Sequence, residues 1–217
     1  MLGNTALNEA DAHFTAAIAL SKNHPEANLL HALVSLLKLQ KDDAFTALLD
    51  DLGIQDDLAD EDMPHYSPGI DLNGNQEFSP TASSSQAIEY GRNTLRPRLI
   101  SAALSLEKIT STTFLGTMPE YLRLGGGCYL DYGDVQMLRG GCKVLLALLD
   151  LTESFQMAAR LQDIQELDNQ GTLDAQHVFD QLGDLLKFSG NDRRSGIKTN
   201  LQDAIALYNK GSTHIRT

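Results

Sequence analysis

Apolar residues return at intervals of three and four along most of this chain, and that spacing predicts helices before any other feature is weighed. Ala6, Ala10, Phe14, Ala17 and Ile18 line one side of a first helix. Asn23-His24-Pro25 interrupts the pattern, with Pro25 suited to the first turn of the next helix. From Glu26 to Leu39, the residues Leu29, Leu30, Leu33, Val34, Leu36 and Leu37 cover more than half the helix circumference. Such a helix is expected to pack on more than one side. A third helical piece over 42–52 groups Phe45, Leu48 and Leu49.

The period is lost between Gly53 and Ser85, where Pro64, Pro68, Pro80, Gly69, Gly74 and Ser83-Ser84-Ser85 accumulate. This stretch is expected to be a long loop and a boundary, because structureless loops of that length are unusual inside a compact unit. Helical spacing resumes at Gln86 with Ile88, Leu95, Leu99, Ile100, Ala103, Leu104 and Leu106, and Pro97 predicts two helices meeting near Arg96. Thr112, Thr113, Phe114 and Leu115, then Tyr121, Leu122 and Leu124 before Gly125-Gly126-Gly127, predict a small β-hairpin near 112–130. From Asp131 or Tyr132 the strongest stripe follows: Val135, Leu138, Cys142, Leu145, Leu146, Leu149 and Phe155, running to about Ala159. Amphipathic helices over 174–187 and 198–210 close the chain. The predicted fold class is all-α: antiparallel helical hairpins forming a bundle, with at most that small hairpin of strands. Residues 1–52 form an N-terminal hairpin, 53–85 a long loop, and 86–217 a bundle packed as one domain with 1–52.

Composition narrows the possibilities. With 217 residues, 42% hydrophobic and 21% charged, the chain is that of a folded protein with a sizeable core. Seventeen basic against 29 acidic side chains give a net charge of −12. That argues against nucleic acid and against anionic membrane surfaces, both of which are bound through Lys and Arg. No apolar run approaches the roughly 18 residues of a membrane span, so no membrane insertion is expected. Met1-Leu2-Gly3-Asn4-Thr5 has neither the basic nor the apolar region of a secretory signal. Cys128 and Cys142 stand fourteen positions apart without metal-ligand spacing. Each reads as a buried free thiol, with a single disulfide as the alternative in an oxidising compartment.

Ala10-x3-Phe14-x2-Ala17-Ile18-x-Leu20, followed by Asn23-His24-Pro25-Glu26-Ala27, resembles the second helix of a tetratricopeptide repeat running into the next repeat. The resemblance implies a helical hairpin in which Ala10 and Ala17 allow close approach and Phe14 fills the space between the helices. It departs at Lys22, where that repeat has its proline, and it spans about one unit, short of the three a solenoid needs. Tyr129-Leu130-Asp131-Tyr132-Gly133-Asp134-Val135-x2-Leu138-Arg139 resembles a segment of large uncharacterised bacterial proteins, in which tetratricopeptide-like helices precede it, often in exported or cell-surface chains. Leu201-x2-Ala204-Ile205-x2-Tyr208 with Ile215-Arg216 fits the same module. That likeness implies a helical module and export, and no substrate.

Candidate chemistry is sparse. Asp71-Leu72-Asn73-Gly74-Asn75-Gln76-Glu77 places oxygens as a calcium loop does, but Gln76 and Ala82 stand where the sharp-turn Gly and bidentate Glu belong, so an Asx-rich turn is expected. Asp168 to Asp174 reads as a linker ending in a helix cap. The histidines 13, 24, 31, 65, 177 and 214 form no HExxH or His-x3-His pair, and His31 reads as an interior histidine. Gly125-Gly126-Gly127 lacks the lysine and hydroxyl of a phosphate loop, and there is no GxSxG elbow. The most suggestive polar group is Tyr129, Asp131, Tyr132, Asp134 and Arg139. It is either a structural network at the entrance to the long helix, with Asp134 favouring the helix dipole, or a recognition surface of Tyr and Arg. No catalytic, metal or cofactor residues are assigned. The expected function is that of a non-enzymatic helical module binding protein or peptide within a larger assembly. The alternatives are a calcium- or glycan-binding surface domain, or an enzyme with its site near Tyr129–Arg139.

Overall fold

A computed structural model describes residues 4–56, 66–70, 83–117, 129–155 and 193–215. Helix α1 (Asn4–Leu20) and α2 (Pro25–Leu37) form the first hairpin. His24 caps α2, its Nδ1 accepting from the Ala27 backbone N–H at 3.3 Å, and Pro25 opens the helix. The inter-helix turn is held from inside: buried Asn28 donates its amide to Lys22 O (3.1 Å) and His24 O (2.8 Å). A buried amide must find partners, and here they are two carbonyls of the turn between the helices.

A 3₁₀ turn (Lys38–Lys41) leads to α3 (Asp43–Asp51), capped by the Asp42 carboxylate at 3.0 Å from Ala44 N. The stretch expected as a featureless loop instead starts with strand β1 (Ile54–Asp56), entered through Gly53 at φ 64 and paired antiparallel with β2 (Tyr66–Pro68). Gly53 takes the left-handed conformation that costs other residues a Cβ clash.

Near Pro97 the expected break is a widening rather than an end. Helix α4 (Ser84–Tyr90), with a Ser83/Gln86 capping box, passes through a π-helical turn (Gly91–Leu95) into α5 (Arg96–Glu107). Arg96 N–H reaches back five residues to Gly91 O. A proline ring clashes with the carbonyl four residues before it in an α-helix, and the wider turn relieves that crowding without abandoning the helix. After α5, strand β3 (Leu115–Thr117) pairs antiparallel with β4 (Tyr129–Asp131), the small hairpin of strands expected near 112–130. The fold is therefore all-α, with short two-stranded ribbons as its only sheet among the described residues.

Helix α6 (Tyr132–Ser154) and α7 (Arg194–Ile215) make the most extensive contact among the described residues. The long helix ends at Ser154 rather than near Ala159: Phe155 is extended (φ −119, ψ 151), while Thr152 and Ser154 hydroxyls donate to Leu149 O and Asp150 O. Such side-chain bonds compete with the helical ladder. The final helix begins at Arg194, not Lys198. The helix expected over 174–187 lies outside the described residues.

One core joins these layers. Leu29 and Ala32 of α2 meet Leu99, Ala102 and Leu106 of α5, and these meet Val135, Cys142 and Leu146 of α6. Helix α2 does pack on several sides, against α1, α5 and β3. In α6, Leu145 departs from the expected stripe and is exposed. What packs α6 on α7 is a different series: Gly133, Gly140, Ala147 and Ser154, seven apart, are all buried. A small residue every seventh position keeps one seam facing the partner helix. Opposite lie Ala204, also buried, and Gly211; a Cβ on Gly211 would stand 2.7 Å from Gly133 O. Backbones this close admit no side chain.

Two glycine substitutions should therefore act in opposite directions. Gly211→Ala should destabilise by about 1–3 kcal/mol through overpacking. Gly141→Ala, with nothing near its added methyl, should stabilise by about 0.5–1 kcal/mol through helix propensity. Thermal melts followed by circular dichroism check both signs.

Candidate functional site

The polar group at the start of α6 is resolved into separate tasks. Asp131 N–H donates to Asp134 Oδ2 and Asp134 N–H donates to Asp131 Oδ1, both at 3.0 Å, a reciprocal capping box. The two carboxylates thus satisfy orphan helix donors instead of facing each other across a substrate space. Tyr132 is buried, with the His214 ring edge-on at 5.6 Å and Lys210 Nζ at 5.1 Å from its ring centre. His214 Nε2 stands 4.0 Å from Asp131 Oδ2, so the end of α7 is docked on the start of α6. Tyr129 is exposed. Arg139 lies elsewhere, bonded to Gln136 Oε1 (3.1 Å) and 3.6 Å from Glu107 of α5. The structure brings Asp131, Tyr132 and Asp134 together and leaves Tyr129 on the surface and Arg139 beside α5.

His31 is interior. Its Nδ1 is 2.8 Å from Ser105 Oγ of α5 and its Nε2 is 3.6 Å from Asp11 of α1, which also pairs with Lys38 at 2.7 Å. It ties three helices by one ring.

A buried ionic cluster at the other end of α6 was missed from the sequence. Asp150 and Glu153, both 3% exposed, face Arg96 at 2.9 and 3.0 Å. Arg193 reaches Glu153 at 2.7 Å, Arg92 approaches it at 3.7 Å, and Asn200 donates to Asp150 at 3.1 Å. The π-helical turn delivers Arg92 and Arg96 to one side, and Gly196 brings α7 so close that its Cβ would touch Asp150 Oδ2. One signal was present: in helical phase with Ala147 and Ser154, an Asp and a Glu must be inside, and buried carboxylates require cationic partners. No pair of free reactive groups remains here; the carboxylates are consumed by guanidinium contacts.

Two grooves flank α6. The first, about 330 Å³, runs between α5 and α7, with Ile100 and Leu104 on one wall, Leu207 on the other, and Arg139 and Lys143 along α6. Lys143 pairs with Asp203 at 3.1 Å, so its charge is answered. The second, about 470 Å³, is apolar: Leu33 and Leu36 of α2 face Met137, Leu138 and Leu145 of α6 over a floor of Leu99 and Cys142, and Leu130 and Asp134 also line it. From this groove the apolar surface continues over the crest of α6. The exposed positions of that helix are Gly141, Val144, Leu145, Leu148 and Leu151, none polar. Helical spacing puts Leu201, Ile205 and Tyr208 of α7, also exposed, beside them on the side away from the first groove.

Cys142 is free and buried, and burial pushes its thiol above the ordinary range, partly opposed by a backbone hydrogen bond. Cys128, the Asp71–Ala82 loop, Gly125 to Gly127 and the Asp168–Asp174 linker lie outside the described residues. Among the described residues no group of His, Cys, Asp and Glu could hold a metal ion, and no helix is long and apolar enough to cross a membrane. No protein-family model matches the chain, and neither a curated protein nor a solved structure does.

Removing one partner from the ionic cluster should be costly. Arg96→Met is expected to lose about 3–5 kcal/mol because it strands buried carboxylates, whereas Lys143→Met, at a more exposed pair, should lose under about 1 kcal/mol; urea melts at neutral pH compare them. The folded chain holds the Cys142 proton to higher pH than the unfolded chain does. That contribution to stability is therefore complete below the free thiol's range and is lost as pH rises through the folded value. Iodoacetamide at pH 8 should modify Cys142 at least tenfold more slowly in the native chain than in urea, read by peptide mass mapping.

Proposed function

We propose that this chain is a non-enzymatic interaction module that takes protein or peptide on its apolar surface along α6. The observation that carries the reading is the outward side of α6, where every exposed position is apolar or Gly and opens onto an apolar groove. Contiguous exposed apolar surface of several hundred Å² marks interaction sites on folded proteins. The tetratricopeptide likeness of the first hairpin, and the exported bacterial setting implied by the likeness at 129–139, fit the same reading and specify a module inside a larger assembly. The consumption of Asp131, Asp134, Asp150 and Glu153 by caps and ion pairs supports a non-catalytic role. The net charge of −12 favours basic partners at long range.

Model peptides test this. An amphipathic fourteen-residue helix of Leu and Lys should bind, an equivalent helix of Leu and Glu should bind at least tenfold more weakly, and salt should weaken the first. Leu145→Glu, on the exposed rim of the groove, should reduce binding at least tenfold in fluorescence anisotropy. Absence of binding by either peptide at high micromolar concentration would overturn the reading.

A further inference from the structure

The groove between α5 and α7 holds a guanidinium that the fold answers only in part. Arg139 lines its floor with a side chain 17% exposed, and Nη1 donates to Gln136 Oε1 at 3.1 Å. Nη2 stands 3.6 Å from Glu107 Oε1, a long contact to a carboxylate that is itself 55% exposed, which is the weak, solvent-screened kind of pair. By contrast, Lys143, Arg96 and Arg193 meet carboxylates at 3.1, 2.9 and 2.7 Å. The amide nitrogen of Gln136, wholly buried, has no acceptor among the described residues. Donors outnumber acceptors at this end of the groove. We infer that the groove binds a small monocarboxylate with an apolar body, the carboxylate on Arg139 and the body along the walls. This site lies on the other flank of α6 from the apolar groove and stands apart from the peptide reading.

Chemistry selects this ligand class. A guanidinium presents its N–H groups as a planar fork that matches a carboxylate, and the resulting bonds are charge-assisted. Nε and Nη2, one edge of that fork, make no hydrogen bond among the described residues. One negative charge is the limit: Glu107 and Asp203 stand at the rim and the chain carries −12, so a dianion would be repelled. The rest of the groove is apolar. Ile100 and Leu104 of α5 are exposed and face Leu207 of α7, while Leu146 extends the floor. The pairs Glu107–Arg139 and Arg96–Glu153 show that α5 and α6 run antiparallel, so Ile100 and Leu146 lie at the end away from Arg139. From Arg139 to Leu146 is about 10 Å at roughly 1.5 Å per residue, the length of a short acyl body. A volume of about 330 Å³ sits at the low end of the roughly 300–1,000 Å³ of small-molecule sites, which fits one small acid.

Hexanoate titrated into the full chain and followed by ¹H–¹⁵N NMR tests the inference. Saturable shifts should appear at residues of this groove, with a dissociation constant in the millimolar range or below. Acetate carries the charge without the body and hexanol the body without the charge, and each should bind at least tenfold more weakly. Arg139→Gln, and Leu104→Glu at an exposed wall position, should each weaken hexanoate at least tenfold with helical content unchanged by circular dichroism. If Arg139→Gln disturbs the fold, Leu104→Glu decides alone. Leu145→Glu, in the other groove, should leave hexanoate binding unchanged, and saturating hexanoate should not displace the Leu/Lys peptide, so each reading can fail without the other. No saturation by about 20 mM hexanoate, equal binding of hexanol, or indifference to both groove variants overturns the inference. So does loss of binding in Leu145→Glu, which places the acid in the apolar groove.

Discussion

The near-contact of two backbones, α6 against α7, is the constraint on which the remaining architecture depends. Only because Gly133, Gly140 and Ala147 recur every seventh residue, and Ala204 and Gly211 face them, do the two helices come close enough to bring Gly196 against the Asp150 carboxylate. The same closeness docks His214 and Lys210 on Tyr132 at the opposite end. Helix α6 then has three distinct sides: one spent on α7, one on the core shared with α5, and one left to solvent.

The buried ions follow from that arrangement. Closing α7 on α6 leaves Asp150 and Glu153 without water, and carboxylates so placed are tolerable only when cations and amides replace the lost solvation. Arg96 arrives from α5, and Arg193 and Asn200 from the start of α7, to do so. The cluster therefore specifies how the α4–α5 run, the start of α7 and the end of α6 sit relative to one another. Its Coulombic contribution is offset in large part by desolvation, so orientation is its clearest product.

Large apolar residues made the fold class, the first helices and the opening of α6 readable, since their spacing records the face each helix buries. The same habit hid the α6–α7 seam, because glycine and alanine carry no hydrophobic signal although they mark where helices approach most closely. The ionic cluster of Asp150, Glu153 and Arg96 was missed for a related cause: apart from the helical phase of the two acids it leaves no local pattern, because its partners stand 40 or more positions apart. Asp131 and Asp134 were visible as an acidic pair, but a capping box and an active-site pair look alike until the backbone N–H groups are placed. Leu145 was read as core because periodicity reports which side of a helix is apolar, not whether anything covers it.

The widened turn at Gly91–Leu95 reaches beyond the proline beside it. Such a turn holds one residue more than the regular helix would, and one residue is about 100° of rotation. Every side chain upstream in α4 is thereby swung by that angle relative to α5. Tyr90 sits on that rotated segment, and its ring meets Phe45 of α3 at 5.7 Å. The bearing of α3, which buries no residue of its own, is thus linked to a register shift in a different helix, and a one-residue deletion there would swing Tyr90 away from Phe45.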